Sequence, residues 1–263
     1  MPDPFDLRIA DGVATLTLTR PKTLNSLTFA VYEALRRFFE QSVRDDSFRV
    51  VVITGTGRGF CSGGDVHEII GELFQRDVKG LLEFTRMTGD VVKAIRLLDK
   101  PVIAAVNGLA AGAGAVISLA SDLRVAAESA SWRFLFTQVG LTGADMGAGY
   151  LLPRVVGLSK ATEMLMLGDK VDATTAERFG LANRVVPDDQ LMATTMELAR
   201  RLADGPTLAI SMTKRMILNE LNMDLVSAIE AEAQAQALML QSKDHRAFYE
   251  AFKEKRAPRF TGE

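Results

Sequence analysis

The sequence predicts an α/β fold with crossover connections. Three observations carry this reading. Continuous apolar runs, "VVVIT" at 50–54 and "PVIAAV" at 101–106, alternate with segments of helical spacing. A glycine-rich loop follows each of those runs and leads into a helix. From Ser159 onward the pattern is helical.

The elements follow in order. "VATLTLT", Val13 to Thr19, alternates and is rich in threonine and β-branched residues, so it reads as a strand after a turn at Asp11-Gly12. Pro21 ends it. "TFAVYEALRRFFEQSVRDD" reads as an amphipathic helix with Thr28 or Ser26 as its N-cap. Val50 to Thr54 is a strand covered on both faces, "GTGRGFCSGGD" is a loop, and a polar helical region runs to about Lys100. "PVIAAV" is a second buried strand, "NGLAAGAG" a second loop, "AVISLAS" an apolar helix and "LRVAA" a further strand. Then "LSKATEMLML", "TTAERFG", "DQLMATTMELARRLAD", "PTLAISMTKRMILNEL" and "DLVSAIEAEAQAQALMLQS" carry apolar residues at helical spacing, punctuated by Pro187 and Pro206. The expected division is an α/β core over 1–195 and a helical region over 196–263. That region has too many apolar faces to stand alone, so it packs on the core or on a neighbouring subunit.

Bulk properties exclude several classes. Of 263 residues, 48% are hydrophobic and 24% charged, an ordinary globular composition. Net charge is −2, so no basic field for nucleic acid exists. Cys61 is the only cysteine, which precludes an internal disulfide and fits a reducing compartment. The N-terminal "MPDPFDLRIADG" lacks the charged and apolar regions of a signal peptide, and no apolar run reaches the roughly 18 residues of a membrane span. The expectation is a soluble, cytoplasmic protein with no membrane partner. His67 and His245 stand outside any ligand-spaced cluster, so no metal is expected. No GxSxG elbow and no GxxxxGK[ST] loop occurs, and "GAGAVI" lacks the third glycine of a dinucleotide fingerprint.

The chemistry-bearing segments are "FCSGGD", Phe60 to Asp65, and "NGLAAGAGAV", Asn107 to Val116. Glycine and alanine let a substrate approach the backbone, and N–H groups of a first helical turn point at whatever sits there. Two such groups converging would make an oxyanion hole. Tight turns with close helix packing explain the same glycines.

The ordered segments "RPKTLNSLT", "GFCSGGDV", "KPVIAAVNGLAAGAGAVISLASDLRVAAESA", "GLTGADMGAGYLLPRVVG", "GDKVDATTAERFGLANRVVP" and "AFKEKRAPRF" resemble the crotonase superfamily, the enoyl-CoA hydratase/isomerase group, from Leu7 to Phe260. The resemblance implies a ClpP/crotonase-like spiral of repeated β-β-α units with a C-terminal helical trimerisation region. It implies an acyl-CoA thioester substrate, with coenzyme A as part of the substrate and no tightly bound cofactor, and a homotrimer or a hexamer made as a dimer of trimers. By position, the N–H groups of Gly64 and Ala113 would hold the thioester oxygen as it becomes an enolate. Lys22, Leu24 and the backbone of Ser62, Gly63 and Asp65 would meet coenzyme A. Lys255, from a neighbouring subunit, would meet its phosphates as a point charge. Without the resemblance, Lys22 and Lys255 read as solvated surface lysines.

The chain departs from the hydratases of this group. Their two water-activating glutamates fall at Val116 and Phe136 here. Glu128 is nearby but matches a structural loop acid. Asp145 matches an aspartate of the dienoyl-CoA isomerase branch and the nucleophile of the 4-chlorobenzoyl-CoA dehalogenase branch. The latter also needs a tryptophan where Phe136 stands and a histidine where Gly89 stands. Asp145 is therefore the candidate acid/base, with an N-cap for the helix through Tyr150 as its other reading. Trp132, Phe134 and Phe136 either line an acyl pocket or pack the core. The expected activity is enolate stabilisation in a double-bond isomerase or atypical hydratase. The alternatives are a degenerate CoA-binding subunit, or hydrolase- or dehalogenase-like chemistry through Asp145. RNA binding would need a lysine-rich helix face that the sequence lacks.

Overall fold

The structure is a computed structural model that describes residues 4–263. The first three residues of the N-terminal segment considered above lie outside the described residues. Strands β1 (Phe5–Ala10), β2 (Val13–Leu18), β3 (Val50–Gly55), β4 (Gly59–Cys61), β5 (Val102–Val106), β6 (Leu109–Ala111), β7 (Leu123–Ala127), β8 (Ser131–Arg133), β9 (Val171–Asp172) and β10 (Arg184–Val186) form two sheets. One is ordered β1-β2-β3-β5-β7-β10 and the other β4-β6-β8-β9. β1 pairs antiparallel with β2, and β2, β3, β5, β7 and β10 run parallel. β4, β6 and β8 run parallel, with β9 antiparallel at the edge.

Each successive β-β unit therefore gives one strand to each sheet before a helix returns the chain. β3-β4, β5-β6 and β7-β8 are the three turns of this spiral. Four first-sheet strands were legible, β2 by its alternation and β3, β5 and β7 as apolar runs, and every residue of "VIAAV" is buried; β1 and β10 were not read as strands. The second-sheet strands are three residues or fewer and sit inside what the sequence shows as loops. Their pairing is supplied by the neighbouring turn, not by local pattern.

The helices are α1 (Phe29–Gln41), the single turn α2 (Gly71–Leu73), α3 (Val78–Leu97), α4 (Ala113–Ala120), α5 (Ala148–Val156), α6 (Leu158–Leu167), α7 (Ala173–Arg178), α8 (Leu191–Ala203), α9 (Thr207–Glu220), α10 (Leu225–Leu240) and α11 (Lys243–Lys253). Thr28 is the N-cap of α1, its hydroxyl accepting from Val31 N. All eight residues of α4 are buried. α8 buries Leu191, Thr195, Ala199 and Ala203 at four-residue spacing, and it packs on β3, β5 and β7. The expected division at 195/196 thus falls inside a helix that belongs to the first sheet's cover, and the projecting tail begins at α9.

α9 and α10 bury no residue, and Ile217, Leu225, Val226, Ile229, Leu238 and Phe252 are exposed. α9 is nevertheless tied to the core. Lys214 Nζ donates to the carbonyls of Ile95 and Lys100 and pairs with Asp122 at 2.7 Å. Asp122 also accepts from Val102 N and pairs with Arg96. Asp122→Ala would leave the Lys214 ammonium with its carbonyl acceptors but no countercharge, with an expected loss of about 3 kcal/mol in denaturant unfolding. Asp99→Ala, which removes the exposed pair with Arg215, is expected to cost no more than about 1 kcal/mol.

Candidate functional site

The segment Arg20 to Leu27 lies along the first glycine-rich loop. Leu24 (φ 52°) and Asn25 (φ 58°) are both left-handed, a turn that asparagine tolerates. Asn25 is 1% exposed and makes the turn self-supporting. Its Nδ2 donates to the carbonyls of Thr56 and Gly59, and its Oδ1 accepts from Arg20 N. Ser62 N donates to Leu24 O, Ser62 Oγ to Thr23 O, Leu27 N to Gly63 O, and Asp65 N to Leu27 O. Lys22 and Leu24 are thereby held beside Ser62, Gly63 and Asp65.

The Asp65 side chain is committed within the loop. It accepts from the N–H groups of His67 (3.0 Å) and Glu68 (3.1 Å), capping a π-helical turn over Val66–Ile70. It also accepts from Ser26 Oγ at 2.8 Å and pairs with Arg20 at 3.2 Å. Burial pushes its pKa up, but the Glu68, Ser26 and His67 donors and the Arg20 charge outweigh burial and hold it low. The roles of Arg20, Asn25, Ser26 and Asn107 were missed in the sequence. Asn107 accepts from Gly55 N and donates to Gly57 O and Gly59 O. Most of their partners lie dozens of residues away, and a polar residue in a turn gives no local sign of a distant partner.

The two glycine-rich loops meet. A Cβ on Gly63 (φ 96°) would stand 3.0 Å from Ala111 O and 3.4 Å from Ala113 N. A Cβ on Gly114 would stand 2.1 Å from Cys61 O, so the first turn of α4 rides directly on β4. Gly112 (φ 50°) begins α4 with no side-chain cap. Among the described residues, neither Gly64 N nor Ala113 N has a hydrogen-bond acceptor. Cys61 is buried beneath them, and burial pushes its thiol up to about 12, which keeps it from acting as a thiolate.

Asp145 lies between a 3-10 turn over Leu135–Val139 and α5. The capping reading is corrected here. Gly147 (φ 91°) is the N-cap of α5 and there is no side-chain cap; only the backbone carbonyl of Asp145 accepts from Ala148 N. The left-handed Met146 (φ 50°) and Gly147 turn the chain before the helix starts, so the carboxylate is not aimed at the first-turn donors. Asp145 is half-buried, and burial raises its pKa against the opposing N–H of Met146. Met146 and Gly147 also line an open groove between α3, α5 and α9 with Val92, Lys93 and Tyr150.

Val116 is fully buried in α4 and Phe136 is 7% exposed, so no carboxylate occupies either position. Trp132 is a core residue with no exposed surface, its indole N–H donating to Ser118 Oγ at 2.9 Å. Phe134 is likewise wholly buried. Of the three aromatics, Phe136 alone retains any accessible surface. Lys255 is exposed just past α11, and none of its hydrogen bonds reaches the glycine-rich loops. Among the described residues, no three of His, Cys, Asp and Glu cluster as a metal site requires.

A helix N-terminus packed on a second glycine-rich loop, within a spiral of β-β-α units, defines the crotonase class of enzymes. The enoyl-CoA hydratase/isomerase family model matches residues 8–263, and the chain belongs to that family. It is similar to 1,2-epoxyphenylacetyl-CoA isomerase of Escherichia coli (strain K12), 37% identical over 97% of each chain. It is 40% identical to a probable enoyl-CoA hydratase of Mycobacterium bovis, over 95% of this chain and 89% of the relative. A crystal structure from Streptomyces coelicolor A3(2), assigned to the enoyl-CoA hydratases, superposes with a TM-score of 0.97 at 51% identity. It covers 100% of this chain and 96% of that one.

Asp65→Ala removes a cap with two N–H partners and the anchor for Arg20 and Ser26. The expected result is a loss of about 2 kcal/mol in denaturant unfolding, with faster amide exchange over 66–70.

Proposed function

We propose that this enzyme is an acyl-CoA double-bond isomerase whose Asp145 shuttles the proton. The carrying observation is the half-buried Asp145 carboxyl, with its pKa raised by burial, beside a site whose hydratase positions hold Val116 and Phe136. In this reading the thioester oxygen sits on the N–H groups of Gly64 and Ala113. Asp145 removes a proton from the acyl chain, and the bonding electrons pass to the thioester oxygen as an enolate. The proton returns to a different carbon, the enolate collapses, and the double bond has moved with no atom gained or lost. The two N–H groups stabilise the developing charge because they are fixed by the backbone before reaction; one such donor is worth about 3–4 kcal/mol of barrier. The Escherichia coli relative is named for isomerising an epoxide-bearing acyl-CoA thioester, which supports isomerase chemistry on an acyl-CoA rather than hydration.

Coenzyme A would lie along Lys22, Leu24 and the backbone of Ser62, Gly63 and Asp65. The apolar faces of α9–α11 support assembly of copies through the tail, as a homotrimer or a dimer of trimers, with Lys255 supplied by a neighbour.

Turnover of an enoyl-CoA panel in deuterated water, read by mass spectrometry, tests the reaction. The wild type is expected to move the double bond with deuterium incorporation, and Asp145→Asn to lose about 100-fold or more in kcat. An unchanged Asp145→Asn would overturn the role. Catalysis needs the carboxylate, so kcat is expected to fall as pH drops through an apparent pKa above the ordinary Asp value of about 3.9.

Stability moves the other way. Burial makes the folded chain hold this proton to a higher pH than the unfolded chain does, so stability falls as pH rises between the two pKa values. At neutral pH the ionised carboxylate is held at a cost. Asp145→Asn is expected to raise Tm by on the order of 2 °C at pH 7, with the gain vanishing in acid.

A further inference from the structure

Tyr32 has no part in the reaction as written above, yet it reaches the same site. It sits on the buried face of α1 and is 2% exposed. Its ring meets Phe84 edge-on, with centroids 6.2 Å apart, and Phe84 in turn meets Phe29. The hydroxyl oxygen lies 3.7 Å from where a Cβ on Gly64 would stand, so it overhangs the residue proposed to hold the thioester oxygen. Among the described residues this hydroxyl has no hydrogen-bond partner. It is not sealed in either. Among the described residues, the fully enclosed side-chain polar atoms without partners are Arg96 Nε and Glu220 Oε1, so the Tyr32 oxygen keeps a trace of accessible surface.

Packing does not explain the hydroxyl, because a phenylalanine would fill the same space against Phe84. Burial, with Cys61 and Asp145 behind it, pushes the phenol pKa up, so the group is a neutral donor throughout the working range. A buried donor is costly unless something accepts from it. The Gly64 and Ala113 N–H groups already answer the thioester oxygen, so this third donor is free for a second oxygen.

We propose that Tyr32 is a specificity-determining residue whose hydroxyl donates a hydrogen bond to an oxygen borne by the acyl chain within a few bonds of the thioester. The substrates favoured are then oxygen-bearing acyl-CoA thioesters. A plain hydrocarbon chain would cover the hydroxyl and leave it unpaired, which is how a polar site rejects an apolar analogue. The proposal rests on the acyl-CoA reading of the Gly64 and Ala113 site.

The test is calorimetric binding of 3-hydroxybutanoyl-CoA and butanoyl-CoA to the full chain and to Tyr32→Phe. The wild type is expected to bind the hydroxylated thioester about tenfold or more tightly, and Tyr32→Phe to bind the pair within about twofold. Tyr32→Leu, as a second variant, is expected to lose the preference as well. A preference of equal size in wild type and variants would overturn the proposal and leave the acyl-CoA reading standing. So would an equal weakening of both ligands, which would place the hydroxyl's bond on Asp145 or on water. If neither thioester binds the wild type, the acyl-CoA reading falls and this proposal falls with it.

Discussion

The close approach of α4 to β4 is the constraint on which the rest depends. Gly114 packs its Cα side onto the Cys61 carbonyl at a distance that admits no Cβ, and Gly63, left-handed at φ 96°, packs tightly against Ala111 and Ala113. In the proposed site, two N–H groups on different turns of the spiral are positioned by backbone alone. Backbone donors cannot rotate away as side chains do, which is what preorganised stabilisation of a developing charge requires. A larger residue at Gly114 would force α4 off Cys61.

The surrounding structure holds α4 at its C-terminal end. Its N-terminus is free toward the site, while Arg124 closes its C-terminus. The Arg124 guanidinium donates to the carbonyls of Ser118, Leu119, Ser121 and Leu181, placing a cation at the negative end of the helix. Asp122 anchors the next strand through Val102 N and links it to Lys214 of the tail. The helical appendage is therefore registered to the same turn of chain that carries α4. Opposite α4, the Arg20–Leu27 segment clamps the other loop through Asn25 and Asp65.

The proposed site pairs a fixed electrostatic frame with a carboxyl that the fold does not satisfy. Asp65 and Asp145 show the difference. Asp65 is buried among donors and stays ionised as a structural anchor, whereas Asp145 is buried with little to receive its charge. A group held in an environment that disfavours its charged state costs stability, and such groups gather where chemistry needs them.

The sequence by itself determined the α/β class, the strands β2, β3, β5 and β7, the run of helices after Ser159 and the two glycine-rich loops. Each rests on local periodicity or on residues whose backbone freedom is unusual. Through the family resemblance it also put Asp145 forward as the candidate acid, because the positions of the hydratase glutamates hold Val116 and Phe136. The short strands β4, β6, β8 and β9, the helix α11, the anchoring roles of Asn25 and Asn107 and the buried place of Trp132 came only with the tertiary structure. Each depends on a partner far along the chain. The cap of α5 was decided there too: Asp145 stands near the helix start, but left-handed Met146 and Gly147 turn its side chain out of register with the first-turn donors. Tyr32 shows the same limit, since periodicity places it on a buried helix face and only the folded chain sets its hydroxyl over Gly64.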